Sequence, residues 1–309
     1  MSTDSNPAEP VAGLEHCRVG ANPIIWTNDD FPELGDATSL DQCLTEMHEA
    51  GYAGSELGRK YPRTPDALRD VLKRHQLALV SGWHSTHLAE RDYADEERRF
   101  RAHVELLRAL DAKVVIVAEC SRCVHGQADV PLGFEDAERQ RLSESEWAAL
   151  MHGLSRLCER AAAAGLVTVY HHHMGTVIQT ESELERLLAA VPALRLLLDP
   201  GHLAFAGIDP LAITRRHRTR IGHVHLKSVR ADVAARARAE RWSFSRAVRA
   251  GVFTIPGEGI VDFPSIFREL AAASYAGWFV VEAEEDPALA PPLPKALRAR
   301  AFVRKHTGL

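Results

Sequence analysis

Eight short apolar runs alternate with eight amphipathic stretches along this 309-residue chain, and that alternation limits the fold more than any single motif does. The runs are Arg18–Trp26, Gly54–Leu57, Leu77–Trp83, Lys113–Ala118, Val167–His173, Leu194–Asp199, Ile221–Leu226 and Trp278–Glu282. Most are rich in Val, Ile and Leu and alternate only weakly, as parallel strands buried on both faces do. Helix start signals stand between them. Ser39 precedes LDQCLTEMHEAG, Ser143 with Glu146 and Thr180 with Glu183 spell capping boxes, and Asp262 precedes FPSIFRELAAAS. Strand–helix alternation with right-handed crossovers implies a parallel sheet, and eight units close it into an α/β (β/α)8 TIM barrel. A doubly wound open sheet is the alternative, but no GxGxxG follows the first run.

A barrel of this kind gathers its active site at the C-terminal ends of its strands. Here the late runs finish in Tyr170-His171-His172-His173, Leu198-Asp199, His223-Val224-His225 and Val281-Glu282. Alternation along a strand puts His171 and His173 on one face, and likewise His223 and His225. His171, Asp199, His225 and Glu282 thus offer two imidazoles and two carboxylates from four successive strands. Such mixed nitrogen and oxygen donors suit Mn²⁺ or Co²⁺ first and Zn²⁺ or Fe²⁺ next, ahead of Ca²⁺ or Mg²⁺. The expectation is a divalent-metal enzyme.

Composition excludes other classes. A net charge of −5 with no basic stripe argues against a nucleic-acid partner. The same balance argues against an anionic membrane surface, and no run of about 18 apolar residues offers a span. Residues 1–17 lack a basic start and an apolar core, so they read as a disordered leader before a single barrel domain over 18–309. Five scattered cysteines suit a reducing cytoplasm. The segments 120–142 and 227–261 exceed ordinary loops and are expected as lids or substrate walls. Within the second, Gly257-Glu258-Gly259 is expected to approach the site. Cys120 and Cys123 form a lone CxxC, read as part of a wall rather than a zinc or redox centre. After DPALAPPLPK, a last helix runs to about His306. It is a candidate packing or dimer contact, which keeps a homo-oligomer open.

The segments ANPIIWTNDDFPELG, ELGRKYP, YHHHMGT, LDPGHLAFAG, HVHLKSVR, PGEGIVDF and VVEAEED resemble those of the myo-inosose-2 dehydratase family, within the xylose-isomerase-like barrels. The resemblance spans roughly Val19–Pro287. It implies a metal site of His171, Asp199, His225 and Glu282, with His171 where the epimerases of the superfamily carry Glu. It also implies loss of water from 2-keto-myo-inositol to give 3,5/4-trihydroxycyclohexane-1,2-dione, in inositol catabolism. In that reaction a base takes the proton α to a ketone and an acid protonates the departing β-hydroxyl. Glu56, His202, Lys227 and Glu282 are expected to carry the chemistry, and which of the proton-transfer candidates is the base stays open. Trp26, Asn28, Asp29, Lys60, His84 and His173 are expected to contact the cyclic polyol ketone. A keto-sugar isomerase or epimerase on the same barrel is the alternative, disfavoured because a two-base epimerase wants a carboxylate in place of His171.

Overall fold

A computed structural model describes residues 9–134 and 139–309. Eight parallel strands close into a barrel: β1 Arg18–Ala21, β2 Gly54–Leu57, β3 Ala78–Thr86, β4 Val114–Glu119, β5 Val167–His171, β6 Arg195–Leu198, β7 Ile221–Leu226 and β8 Trp278–Val281. Each strand pairs with its neighbours in sequence, and β1 closes on β8 with Arg18 opposite Trp278 and Ala21 opposite Val281. Between the strands run helices started as the sequence predicts. Ser143 and Thr180 each complete a capping box with Glu146 and Glu183. Ser39 accepts from the Gln42 N–H and Asp262 from the Ser265 N–H. Such caps satisfy backbone donors that the first helical turn leaves unpaired.

Strand alternation sorts the side chains into two layers. Val114, Ile116, Val169 and Leu197 form a small cluster inside the barrel, with Trp83 packed on it. The opposite faces feed the much larger core between sheet and helices, where Phe100, Leu154, Leu187, Phe267 and Phe279 are completely buried. Each such side chain contributes roughly 1.5–3 kcal/mol by leaving water. A third cluster lies over the C-terminal rim and joins Phe31, Leu132, Met174, Phe205, Trp242, Phe244 and Phe253. These residues come from the loops after β1, β4, β5, β6 and β7.

Several boundaries differ from expectation for local reasons. β1 stops at Ala21 rather than Trp26, because Asn22 caps a 3-10 turn over Pro23–Ile25. β3 runs on to Thr86, since its pairing with β4 continues to Thr86 opposite Glu119. The leader expected over 1–17 falls partly outside the described residues. Within the described part, the Val11 N–H donates to the His306 carbonyl and Leu14 is buried in the core, so packed chain begins before Arg18. The segment after β7 folds into helices Ala231–Ala239 and Phe244–Arg249, tied at its base by the antiparallel pair Ser228–Val229 and Phe253–Thr254. The final helix, Pro292–Thr307, packs along the barrel, where Tyr52 donates to the Ala296 carbonyl. Among the described residues, no helix is long and apolar enough to cross a membrane.

Candidate metal centre and active site

Inward-facing strand ends build one polar cluster beneath a cavity of ≈ 330 Å³. Asp199 follows β6 and caps the helix Pro200–Ala206, with Oδ1 accepting from the His202 N–H at 2.9 Å. Its Oδ2 lies 3.5 Å from His171 Nε2 on β5 and 3.6 Å from His225 Nδ1 on β7. His225 Nδ1 is also 3.0 Å from Glu282 Oε2, just past β8. The four residues expected as ligands therefore converge.

Hydrogen bonds fix which nitrogen of each imidazole is free. His171 Nδ1–H donates to the His172 carbonyl at 2.8 Å, so Nε2 keeps its lone pair and faces Asp199. His225 Nε2–H donates to Glu56 at 3.2 Å, so in the neutral ring the Nδ1 lone pair faces Asp199 and Glu282. Burial holds the His171 imidazole below its ordinary basicity and hence neutral, as a ligand must be. Asp199 Oδ2 and His225 Nδ1 are buried yet make no hydrogen bond of good geometry. Buried polar atoms are rarely left so, and a divalent cation would satisfy both; these residues fit one. His202 also lies within 4.8 Å of His171, Asp199 and Glu282. However, its Nδ1 accepts from the Met174 N–H at 3.3 Å, so Nε2 carries the proton and has no lone pair to give.

Beside this set a second layer holds the carboxylates in place. Lys227, completely buried, reaches Asp199 Oδ2 at 3.1 Å, Glu284 Oε2 at 3.0 Å and the Glu282 carboxylate. Burial opposes its charge, but three anions outweigh that and raise it above an ordinary amine. Reciprocally, burial pushes Asp199 and Glu284 up, yet Lys227 and neighbouring imidazoles bring both well below the usual carboxylate range. Gly201 permits this packing, because a Cβ there would sit 2.6 Å from Lys227 Cγ. Glu56 on β2 accepts from Ser81 at 2.6 Å, His223 at 2.8 Å and Asn22 at 2.7 Å. Asn22 also reaches Glu282 at 3.0 Å and so ties the two carboxylates together.

Above the cluster the cavity is walled by Asn22, Asp29, Asp30, Arg59, Arg63, Trp83, His125 and His173, with Glu56, Glu282 and Glu284 at its floor. Of the expected substrate contacts, Asp29 and His173 line it. The others stand elsewhere. Trp26 is buried toward the helix Leu40–Glu49 and donates to Glu46 at 2.6 Å, because the turn at Pro23 carries it off the barrel axis. Asn28 caps its own loop, accepting from the Asp30 and Phe31 N–H groups. Lys60 donates to the Asp36 and Thr38 carbonyls. His84 follows inward-facing Trp83, so it points outward and bonds Glu96 at 2.8 Å. Neither His202 nor Lys227 lines the cavity. His202 lies behind His173, with ring centres 3.8 Å apart. Glu258 pairs with Lys295 and Arg298 away from the cavity, contrary to the expected approach of its turn. Glu284, Asn22 and His125 were not anticipated. Glu284 carried a signal, since it stands two residues beyond Glu282 on the same face.

The description "Xylose isomerase-like TIM barrel" matches residues 44–306 of this chain. The chain is 46% identical over 294 residues to an inosose dehydratase of Geobacillus thermodenitrificans, covering 94% of this chain and 98% of that one. A rhizopine catabolism protein of Rhizobium meliloti is 48% identical over 281 residues, covering 91% and 85%. Among solved structures, a D-allulose 3-epimerase from Methylomonas sp. in complex with D-allulose superposes with a TM-score of 0.66 at 19% identity, over 97% of this chain and all of that one. An L-ribulose 3-epimerase gives 0.64 at 17%, over 93% of each. Those two likenesses concern the fold alone. At such identity over nearly its whole length, the chain belongs to the inosose dehydratase family of xylose isomerase-like TIM barrels.

Proposed function

We propose that this protein is a divalent-metal-dependent hydro-lyase that removes water from 2-keto-myo-inositol, giving 3,5/4-trihydroxycyclohexane-1,2-dione. The observation that carries the reading is the convergence of His171, Asp199, His225 and Glu282 under a polar cavity, in a chain nearly half identical to an inosose dehydratase. Those four residues would hold Mn²⁺ or Co²⁺. The ion, when bound, supplies Lewis acidity that polarises the ketone and stabilises charge on its oxygen.

The protein's own groups do the rest. Of the cavity carboxylates outside the ligand set and the Lys227 clamp, Asp29 and Asp30 stand in the wall and Glu56 on the floor beside His225 and Glu282, so Glu56 takes the α-proton. Asn22 fixes its distance from Glu282. Lys227 orients Asp199, Glu282 and Glu284, and thereby acts through the ligands instead of touching substrate. His173, backed by His202, and Asp29 meet ring hydroxyls. Trp83, whose ring lies 5.3 Å from His171 and 5.8 Å from His173, covers an apolar face of the ring. Five free thiols agree with a reducing cytoplasm.

The test is the rise of dione absorbance when metal-loaded protein meets 2-keto-myo-inositol. Chelator and His171→Ala should each abolish it. Scrambled stereochemistry in keto-sugars with no dione would instead place the protein among the epimerases.

A further inference from the structure

An elimination needs two proton-transfer groups, because the base that takes the α-proton leaves the β-hydroxyl still a poor leaving group. The cavity offers few acids. Arg59 and Arg63 line it, but a guanidinium does not give up its proton. His171 and His225 belong to the ligand set. His173 carries its ring proton on Nδ1, which donates to the Met174 carbonyl at 2.8 Å, so the Nε2 of the neutral ring has no proton to give.

His125 is different. It comes from the long segment after β4 and stands in the cavity wall, its ring centre 5.0 Å from that of His173. The backbone holds it there: the Val124 N–H donates to the Gly175 carbonyl at 2.7 Å. Gly175 has φ of 80°, and a Cβ on it would meet His125 N at 2.9 Å, so only glycine lets the two loops close this tightly. His125 Nε2 lies 3.6 Å from Asp30 Oδ1, an ion-pair distance beyond hydrogen-bond reach, which leaves that N–H uncommitted. On its other side stands the Cys123 thiol.

We infer that His125 is the proton donor to the departing β-hydroxyl, with Cys123 and Asp30 as the positioning residues on either side of its imidazole. This rests on the dehydratase reading above. The α C–H bond breaks with its proton passing to Glu56, and its electron pair becomes the C=C of an enol. The β C–O bond breaks with its pair going to oxygen, which takes the His125 proton and leaves as water. The enol tautomerises to the second ketone, and the two side chains re-equilibrate with solvent, so no oxidant enters.

Electrostatics agree with the geometry. The neighbouring Cys120 lowers the Cys123 thiol most, and with His125 beside it the thiol comes down to about 4 despite burial. Burial disfavours the His125 cation, but Cys123, Asp30 and Glu284 outweigh it and raise the imidazole above its ordinary value. The other titratable groups facing this pair are His87, beside Cys123, and His173 across the cavity.

The experiment compares wild type and His125→Gln, both metal-loaded, in three assays. These are dehydration of 2-keto-myo-inositol, exchange of its α-proton with D2O by NMR, and fluoride release from the analogue with fluorine replacing the β-hydroxyl. Fluoride leaves without an acid. Dehydration in the variant should fall by about 10²-fold or more, while α-exchange and fluoride release persist at wild-type rates. Cys123→Ser should move the alkaline limb of the kcat profile to lower pH, since the imidazolium loses its anionic neighbour. Equal loss of all three activities in His125→Gln, or unimpaired dehydration, overturns the assignment. A wild type that does none of the three overturns the dehydratase reading, and the assignment with it.

Discussion

The two halves of the barrel rim use their polar residues differently. From β5 to β8, the last inward positions are His171, Asp199, His225 and Glu282, and all four meet within one cluster. From β1 to β4, the conspicuous polar and aromatic residues Trp26, Lys60 and His84 serve caps, loop carbonyls and the helix layer. That half sends its chemistry inward through Asn22, Glu56, Ser81 and Trp83. A polar residue near a strand end is not a site residue by virtue of position alone; its parity along the strand, and the point at which the strand stops, decide.

Removing a ligand in the second half should have the largest effect. Asp199→Ala or His225→Ala is expected to lower kcat/KM by about 10⁴-fold, or ~5 kcal/mol of transition-state stabilisation, and to abolish stoichiometric metal by elemental analysis. Retained metal and turnover would break the comparison outright. Next comes Lys227→Met, which leaves three buried carboxylates without their shared cation. Chelated protein should lose about 3–5 kcal/mol of stability in denaturant titrations, and added Mn²⁺ should restore part of it. Glu56→Gln should keep its metal yet turn over about 10²-fold more slowly, which sharpens the distinction between holding the ion and moving the proton.

The smallest effects belong to the first half. Trp26→Phe and His84→Ala should leave kcat unchanged and cost about 1 kcal/mol each in thermal unfolding. His84 also gives a pH test. Glu96 is pushed up by burial, but His84 and Arg91 bring it below the ordinary carboxylate value when folded. Its contribution is therefore full above the unfolded value of about 4.3 and is lost as pH falls through the lower folded one. His84→Ala should flatten that acid limb of the stability curve. A drop in turnover from either substitution would show that these outward-facing residues reach the site after all.

Much of this was legible in the sequence, and the failures have physical reasons. All eight strands lie within a few residues of their expected spans, because period and capping are local properties. The convergence of His171, Asp199, His225 and Glu282 was readable because β5, β6, β7 and β8 end where their apolar runs end. Trp26 was misplaced because Asn22 and Pro23 start a turn in what reads as continuous apolar chain. Lys60 and Asn28 were misassigned because their partners are backbone carbonyl and amide groups, which leave no sequence pattern. Lys227 was expected to carry chemistry because its neighbours in sequence surround the site; only the fold shows it underneath three carboxylates.

The apolar cluster over the rim carries a further consequence. Strand-end loops of such barrels ordinarily vary one by one, which is how the fold acquires new chemistries. Here Phe31, Leu132, Met174, Phe205 and Phe253, from five of those loops, share one packed cap. A loop replaced alone would leave its neighbours a void or a clash, so a viable replacement has to involve its packing partners. The scaffold has given up piecemeal adaptability for a wall whose parts must change in concert.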